Sequence, residues 1–389
     1  MKNSVFMLLD NPFKSDARVE KEAISLVKAG YAVTVLAVKD STLPDVETRD
    51  GYTIKRMFTW QFNSPLKNGF NVYIENISTM IAQEYFHILH CHDFYMLHIG
   101  SLVKQKKSNI KLIYDSHEYL VGWPFYRSNK GLLNQLKGYL VWRKLIANER
   151  KAIQFCDSVI TITSAIAERL QKNNSLNKLP YIVSNFPDSI VINCEIKYFH
   201  KKYALGHYVK VMVHSGTIYH TNEQLYALFN FIAEIKQLVV VFIGNRPRFE
   251  EVKQIVEAKP EWKAKVFFHP YLANQTEMIN LMSSADIGLM HIRDEWEAHK
   301  IGFSNRFVEY ALAGLPVVAT PQEFTRQVNE VYPCCTFYQE NSTASLAKAI
   351  REMLTNLDTY RANVLIARKD FNWHTEEAKL LDIYAQLSQ

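Results

Sequence analysis

One stretch, SNRFVEYALAGLPVVAT at 304–320, constrains the fold more than any other part of the chain. Ser304 is a good helix N-cap, since its hydroxyl can accept an otherwise unpaired amide hydrogen bond. Gly314 and Pro316 end the helix, and Leu315–Ala319 has the unbroken apolar pattern of a strand that is covered on both faces. A helix followed at once by such a strand predicts a parallel α/β sheet.

The start of that helix is also a candidate ligand site. Free amides and the helix dipole favour an anion at a helix N-terminus. Glu309, about one helical turn further on, could accept hydrogen bonds from the vicinal hydroxyls of a sugar. The pattern indicates a nucleotide site, although an ordinary α/β helix with a solvated Glu309 explains the same residues.

The composition narrows the class of protein. The 389 residues, 48% hydrophobic and 22% charged, suffice for two soluble domains with cores of their own. The net charge of +6 fits a protein that handles phosphates or touches an anionic membrane surface, but it is too weak to predict nucleic-acid binding. Five cysteines without metal-type spacing argue against a disulfide framework and predict a reducing, cytoplasmic location. No apolar run is long enough to span a bilayer, so any membrane contact is expected to be peripheral.

Strands and helices alternate along the chain in two sets. We expect domains at 1–190 and 209–372, a linker at 191–208, and a C-terminal helix at about 373–389 that packs back on the first domain. The expected fold class is α/β, with two doubly wound parallel sheets whose ligands bind beyond the carboxyl ends of the strands. Polar residues or glycines follow these strand ends at Asp10, His92, Asp93, His117, Glu118, Asn185, Gly216, Gly244 and Tyr271. Two such rims that face each other predict a cleft between the domains.

Common cofactor and metal motifs are missing from the sequence. The chain has no GxGxxG after its first strand and no GxxxxGK[ST], HExxH, CxxC or GxSxG motif. These motifs mark dinucleotide, phosphate-loop, zinc and serine-hydrolase sites. We therefore predict neither a bound cofactor nor a metal.

Several segments, in this order, resemble the GT-B-fold glycosyltransferases of the retaining family 4. They are DARVEKEAISLVKAGYAVTVLA, HILHCHD, LIYDSHE, SVITITSAIAERL, VSNFPD, VVVFIGN, SNRFVEYALAGLPVVAT and FNWHTEEAKLLDIYAQL. The resemblance implies two facing Rossmann-like domains, the N-terminal one for the acceptor and the C-terminal one for a nucleotide-diphosphate sugar. It also implies transfer of the sugar to an acceptor hydroxyl with retained configuration, in cell-surface polysaccharide or glycolipid biosynthesis, without a metal.

The resemblance assigns donor-site roles in the C-terminal domain. Glu309 would bind the ribose hydroxyls as a catalytic residue, and Gly216 would let a phosphate approach the backbone. Tyr271 would line the nucleobase, although it could equally be a core residue. The residues expected at the donor are Gly216, Thr217, Gly244, Asn245, Tyr271, Ser304, Asn305, Arg306, Phe307 and Glu309.

The resemblance also assigns roles in the N-terminal domain. His117 matches the strand-end histidine that reaches the sugar or acceptor, and it is the second predicted catalytic residue; a purely structural histidine is the alternative. His92, Asp93 and Glu118 are expected in the acceptor or sugar region, although Asp93 could simply cap the following helix. Arg18 could contact a phosphate or be a solvated surface residue.

The chain departs from the family pattern at the donor. Ile301 stands where the first Glu of the paired motif is expected, and acids between 294 and 297 could replace it. The segment SGTIYHTNEQL after the first C-domain strand carries no Arg or Lys to hold a diphosphate, and Lys300 and Arg306 are candidates to supply that charge. Two alternatives therefore stay open: a sugar-nucleotide epimerase of the same fold, and a non-catalytic binding subunit.

The region 119–151 interleaves aromatic and basic residues. Family relatives often use such a surface to reach lipid-linked acceptors at a membrane, and the alternative is a helical hairpin on the domain's own sheet. The expected partners are a nucleotide-sugar donor and a glycan or lipid-linked acceptor, and no nucleic acid. The cytoplasm, or the inner face of its membrane, is the expected location.

Overall fold

A computed structural model of the chain describes residues 3–59, 65–188, 192, 197–245 and 247–388. Its internal contacts divide the chain into two units. The first comprises Met1–Asn185, Trp296–Ala298 and Trp373–Gln389, and the second comprises Phe186–Glu295 and His299–Asn372. Part of the predicted linker, 191 and 193–196, lies outside the described residues.

The first unit is built on a sheet of eight strands in its described part. They are β1 (Ser4–Leu8), β2 (Ala32–Val38), β3 (Val46–Arg49), β4 (Tyr52–Phe58), β5 (Ile88–His92), β6 (Lys111–Ser116), β7 (Ser158–Thr161) and β8 (Tyr181–Ile182). Their order is β3-β4-β2-β1-β5-β6-β7-β8, and every neighbouring pair is parallel except β3 and β4. The chain runs outward in opposite directions from β1 and β5, which makes the carboxyl ends of these two strands the switch point where such sheets bind ligands.

Helices connect these strands. They are α1 (Ala17–Lys28), α2 (Phe70–Ala82), α3 (Asp93–Lys106), α4 (Leu132–Ala152) and α5 (Ser164–Asn174). Asp16 starts α1, since its carboxylate accepts a hydrogen bond from the Val19 amide, and the helix buries Val19, Ala23 and Leu26 in the core beneath the sheet. No helix in the described part of the chain is both long and apolar enough to cross a membrane.

Two elements of this unit were not predicted. The stretch 60–85, which reads as an aromatic connector, contains α2, and its buried side chains Ile74, Ile77 and Ile81 follow helical spacing. The short strand β3 pairs antiparallel with β4 at the sheet edge. Its sequence, VETR, carries no apolar alternation, and its four side chains are exposed or only half-buried.

The second unit repeats the doubly wound plan. Its strands are β9 (Lys210–Ser215), β10 (Leu238–Gly244), β11 (Val266–Pro270), β12 (Ile287–Met290), β13 (Val317–Ala319) and β14 (Cys335–Phe337), in the order β11-β10-β9-β12-β13-β14 and all parallel. Helices between 186 and 372 are α6 (Tyr198–Lys202), α7 (Asn222–Glu234), α8 (Pro247–Glu257), α9 (Pro260–Lys263), α10 (Gln275–Met282), α11 (Glu297–Ile301), α12 (Asn305–Leu312), α13 (Glu323–Val331), α14 (Thr343–Thr355) and α15 (Leu357–Ala367). The switch point lies between β9 and β12. The expected α/β fold class with two doubly wound parallel sheets is thus confirmed.

The last helix, α16 (Trp373–Leu387), packs on the first unit beside α1. Trp373 donates its indole N–H to Ser25 at 3.0 Å, and the Tyr384 hydroxyl lies 2.8 Å from Nδ1 of His90. Leu380 and Ile383 are buried in the core with β1. The first unit therefore contains both the beginning and the end of the described chain.

Candidate active site

The strand ends of the first unit bring one histidine between two carboxylates. His117 follows β6, with its Nδ1 3.2 Å from Asp93 and its Nε2 3.1 Å from Asp115. Its backbone amide also donates to Asp93 at 3.2 Å. Asp93 itself begins α3 with a left-handed φ of 63°, a conformation that only a few non-glycine residues adopt. The turn thus aims the Asp93 carboxylate at His117.

Electrostatics fix the charge state of this group. Burial would lower the pKa of His117, but the charges of Asp93 and Asp115 raise it well above its ordinary value. Burial would raise the pKa of Asp115, but Arg18 and His117 hold it well below its usual range. At neutral pH His117 is therefore an imidazolium whose two N–H groups are both directed at carboxylates. Such a ring has no free nitrogen with which to accept a proton.

Arg18 lies behind this group and is not the solvated surface residue that one reading of the sequence allowed. Its side chain is only 4% exposed. Nε and Nη2 each donate to a different oxygen of Asp115 at 2.9 Å, and Nη1 donates to the carbonyl of Val183 at 2.8 Å. Nε also lies 3.1 Å from Glu22, one turn along α1. Arg18 thus fixes Asp115 through a bidentate pair, and its guanidinium nitrogens are all engaged within the unit.

A group of four buried side chains beside Arg18 has the residue types of a metal site. Atoms of Glu22, His90, His92 and Asp115 lie within 4.8 Å of one another. However, Arg18 already places a positive charge on Asp115, and burial raises the pKa of Glu22 and lowers that of His90, which favours their neutral forms. The Arg18 guanidinium opposes a second cation here, because it already forms ion pairs with Asp115 and Glu22.

The other residues predicted near this rim are less constrained. His92 is buried, with Nδ1 3.4 Å from Nε2 of His117. Glu118 is exposed, one residue beyond His117. Asp10, which follows β1, is also exposed. Partial desolvation of its carboxylate and the charge of Asp93 raise its pKa. The rim therefore carries negative charge around one fixed cation.

In the second unit, two glycines and Arg306 meet beyond the strand ends. Gly216 follows β9 with φ of +82°, and a side chain on it would stand 3.4 Å from Nη2 of Arg306. The same Nη2 donates to the carbonyl of Thr217 at 3.0 Å. Gly244 ends β10, and a Cβ on it would stand 2.9 Å from the ring of Phe249 and 3.6 Å from the Gly216 carbonyl. A side chain at Gly216 would be strained by the positive φ, and one at Gly244 would require the Phe249 ring to shift.

Helix α12 is anchored at the switch point of this sheet. Ser304 caps it by accepting the amide of Phe307 at 3.4 Å. The Tyr310 hydroxyl accepts the amide of Ser215 at 2.9 Å and donates to the carbonyl of Leu289 at 3.2 Å, which joins the helix to β9 and β12. Asn305 stays exposed at the helix start. No separate sequence signal marks Tyr310, because its two hydrogen bonds depend on the positions of β9 and β12.

The other side of α12 carries Glu309. Its carboxylate accepts a hydrogen bond from Gln275 at 3.1 Å, and burial raises its pKa. Gln275 begins α10, four residues after Tyr271, which is 45% exposed and so not the core residue that the sequence also allowed. Ile301, where the first motif Glu was expected, is 1% exposed. An apolar side chain fills that position of the unit.

The remaining predicted donor residues differ in exposure. Asn245 follows β10 with an exposed side chain, and Lys300, a candidate to replace the missing basic pair, is exposed on α11. Phe307 is completely buried in the core of the second unit. Its side chain therefore cannot face a ligand at the helix start, and its backbone amide already donates to Ser304.

Each unit matches a family model. The model described as Glycosyltransferase Family 4 matches residues 18–188, and the model described as Glycosyl transferases group 1 matches residues 209–356. Among curated proteins, no sequence matches the chain.

Solved structures share the fold over nearly the whole chain. Sucrose-phosphate synthase (tll1590) from Thermosynechococcus elongatus has a TM-score of 0.73 and 16% identity, with 99% of each chain covered. Anabaena Alr3699/HepE in complex with UDP-glucose has a TM-score of 0.65 and 14% identity, covering 99% of this chain and 100% of that one. WaaG, a glycosyltransferase involved in lipopolysaccharide biosynthesis, has a TM-score of 0.64 and 16% identity, covering 98% and 99%.

The fold and these matches define a glycosyltransferase with the GT-B architecture. The first unit carries a domain that matches the Glycosyltransferase Family 4 model, and the second carries one that matches the Glycosyl transferases group 1 model. The predicted GT-B fold and enzyme class are confirmed. The roles of the individual site residues stay predictions.

Proposed function

We propose that this enzyme takes its sugar from a nucleoside diphosphate sugar and passes it to an acceptor hydroxyl with retained configuration. The observation that carries the proposal is the placement of α12, which directs Arg306 to the Gly216–Thr217 turn and Glu309 to Gln275. A cation beside a glycine turn suits a diphosphate, and a carboxylate suits the hydroxyls of a ribose. The Alr3699/HepE structure contains UDP-glucose, which supports a uridine nucleotide as the first candidate.

The leaving diphosphate needs its charge stabilised. We expect the free amides at the start of α12 and the Arg306 guanidinium to do this without a metal ion. Three arginines donate to carbonyls of the segment after β9: Arg306 to Thr217, Arg293 to Tyr219 and Arg248 to His220. Arg306 is the one beside Gly216, so we expect it to take the place of the Arg and Lys that SGTIYHTNEQL lacks. The acceptor is expected at the rim of the first unit around His117.

The geometry of His117 favours transfer over epimerisation. An epimerase needs a group that removes and returns a proton. Both ring nitrogens of His117 lie within 3.2 Å of carboxylates, which suits a fixed cation at the acceptor rim instead. Formation of an epimer from a nucleotide sugar without acceptor would overturn this choice.

A thermal-shift panel with UDP, GDP, ADP, CMP and dTDP tests the donor proposal. A ligand at 100 times its Kd stabilises the folded protein by about 2.7 kcal/mol, so one nucleotide is expected to raise Tm clearly. Glu309→Gln should raise its Kd at least tenfold, since the ribose loses a charged acceptor. Glu257→Gln on the exposed face of α8 is the matched control. The proposed donor site is excluded if no nucleotide raises Tm, or if Glu309→Gln and Glu257→Gln bind the nucleotide with the same Kd.

We further propose that α4 attaches the protein to a membrane surface on the cytoplasmic side. Four leucines on its first half are exposed to between 50% and 85%: Leu132, Leu133, Leu136 and Leu140. Exposed Lys130 and Lys137 lie among them. Apolar residues flanked by lysines are typical of helices that lie in the headgroup layer of anionic bilayers. The region 119–151 contains one α-helix, α4, whereas the alternative expectation was a helical hairpin.

Vesicle sedimentation tests this surface. The protein should bind phosphatidylglycerol-containing vesicles, bind phosphatidylcholine vesicles weakly, and release at high salt. Leu133→Ser with Leu136→Ser should reduce binding at least tenfold, whereas Val331→Ser, at an equally exposed apolar residue on α13, should not. Equal binding by all three proteins would exclude α4 as the contact.

A further inference from the structure

A pocket of about 180 Å³ lies on the second unit between the first turns of α7 and α14. Its lining includes His220, Thr221, Glu223, Gln224, His291, Tyr338, Glu340, Asn341 and Ser342. Gln224 holds the two sides together, because its Nε2 donates to the carbonyl of Glu340 at 3.0 Å and to Oδ1 of Asn341 at 3.1 Å. None of the lining residues is among those assigned above to the nucleotide.

Two buried histidines line this pocket with unpaired nitrogens. His220 is 2% exposed and His291 is 1% exposed, and their rings stack with centroids 3.9 Å apart. Nδ1 of His291 lies 2.9 Å from the Tyr338 hydroxyl. Within the described residues, both ring nitrogens of His220 and Nε2 of His291 have no hydrogen-bond partner. An unpaired buried polar group costs about 1–3 kcal/mol, so a ligand that enters the pocket and pairs with these nitrogens would recover part of that free energy.

The chemistry of the lining selects the class of ligand. Burial and the neighbouring histidine lower the pKa of His220, and burial lowers that of His291 to about 4, so at neutral pH each ring offers one donor and one acceptor. Glu223 and Glu340 line the same pocket and oppose an anion. The described residues here form no metal-ligating group. A mixture of neutral donors, neutral acceptors and carboxylates suits the hydroxyls of a sugar ring.

The size of the pocket limits the size of the ligand that it can bind. Pockets for drug-sized ligands run to about 300–1,000 Å³, and this one is smaller, at about 180 Å³. We propose that it binds a single neutral monosaccharide unit, at a subsite separate from the nucleotide position on α12. This sugar subsite is independent of the nucleotide that the donor carries, because a glycosyltransferase can use such a subsite with any nucleotide donor.

Saturation-transfer NMR and thermal shift with free glucose, galactose, mannose and N-acetylglucosamine test the proposal. At least one sugar should bind saturably and raise Tm. His220→Phe keeps an aromatic ring on His291 but removes both ring nitrogens, and should raise the Kd for that sugar at least tenfold. His207→Phe, at an exposed histidine of the same unit, should bind like the unchanged protein. Nucleotide binding by His220→Phe should stay within about twofold, which also reports that the variant is folded.

A second variant and a phosphate control complete the test of the sugar subsite. If His220→Phe does not fold, Glu340→Gln replaces it, because the amide keeps the shape and removes a charged acceptor from the pocket; the expected rise in Kd is at least threefold. The proposal is overturned if no sugar binds, if the variants bind sugar unchanged, or if inorganic phosphate binds in its place and loses affinity in His220→Phe. Nucleotide binding without sugar binding would overturn this proposal alone, and sugar binding without nucleotide binding would overturn only the donor site.

Discussion

At the scale of single residues, Arg18 holds Asp115 through two hydrogen bonds of 2.9 Å, and Asp115 in turn lies 3.1 Å from His117. The pairing of Arg18 with Asp115 depends on β6 lying across from α1, which no local sequence pattern records. The spacing of Arg18 and Glu22, four residues apart on α1, was a usable signal. The buried histidines His220 and His291 lie 71 positions apart in the chain, and only the sheet brings them together.

Glu149 gives a pH dependence that can be measured. It is 1% exposed on α4 and accepts a hydrogen bond from the Tyr114 hydroxyl at 2.9 Å. Burial raises its pKa to about 7, against a model-compound value of 4.5. Because the folded state holds the proton more tightly, this residue stabilises the fold fully below pH 4.5, and the stabilisation is lost as the pH rises towards 7 and beyond.

The prediction is a difference between two proteins. Between pH 5 and pH 8 the unchanged protein should lose about 2.5 kcal/mol of unfolding free energy relative to Glu149→Gln, which cannot ionise. Urea unfolding at a series of pH values, followed by far-ultraviolet circular dichroism, measures it. Parallel pH profiles for the two proteins would show that the buried carboxyl does not titrate in this range.

At the scale of elements, strongly periodic helices and continuous apolar strands were predicted well. The stretch 304–320 was expected as helix, stop and strand, and it is α12 and β13. Among the elements that were not predicted are α2 and β3, an edge strand with one partner. Helix α2 packs on elements distant in sequence, whereas β3 pairs with β4 directly across the Asp50–Gly51 turn.

The cap of α12 should matter for both stability and nucleotide binding. Ser304→Ala removes the acceptor for the Phe307 amide and should cost about 1 kcal/mol of unfolding free energy. Because the free amides of the same turn are the proposed phosphate contacts, the Kd of the nucleotide should rise severalfold. Calorimetric titration and urea unfolding measure the two effects.

A second serine cap is the comparison. Ser342 starts α14 and accepts the amide of Ser345 at 3.2 Å. Ser342→Ala should lose a similar stability, about 1 kcal/mol, with an unchanged nucleotide Kd. If both variants weaken the nucleotide equally, the effect is one of stability and not of the α12 amides.

At the scale of the whole molecule, the two-unit architecture was predictable because each unit repeats a strand–helix alternation with polar strand ends. The sequence predicted that the C-terminal helix packs on the first domain, but not which residues it contacts there. The amide of Ser184 donates to Glu376 at 2.7 Å, and no feature of either segment alone marks that bond. Long-range contacts of this kind are the part of a fold that periodicity cannot supply.

Removing Trp373–Gln389 should unfold the first unit selectively. The deletion exposes the site of Trp373, Leu380, Ile383 and Tyr384, each 4% exposed or less and worth about 1.5–3 kcal/mol when buried. Their sum is comparable to the whole stability of a typical domain, about 5–15 kcal/mol. Hydrogen exchange should show lost protection in β1 and β5 and retained protection in β9 and β10.

The control for this deletion is a chain that stops after Leu387. It keeps all of α16 and should show the exchange pattern of the full chain. Retained protection of β1 and β5 in the long deletion would mean that the first unit is stable without its last helix.

The return of α16 to the first unit has a consequence for how the protein is made. A ribosome releases the second unit almost complete before it releases the helix that closes the first. Domains generally fold as they emerge, the N-terminal one first, but here the core of the first unit stays incomplete, with apolar strands exposed, until α16 has been synthesised. A premature stop codon among the first codons of α16 (Trp373–Leu387) would therefore destabilise the first unit, whose strands are encoded far upstream of it.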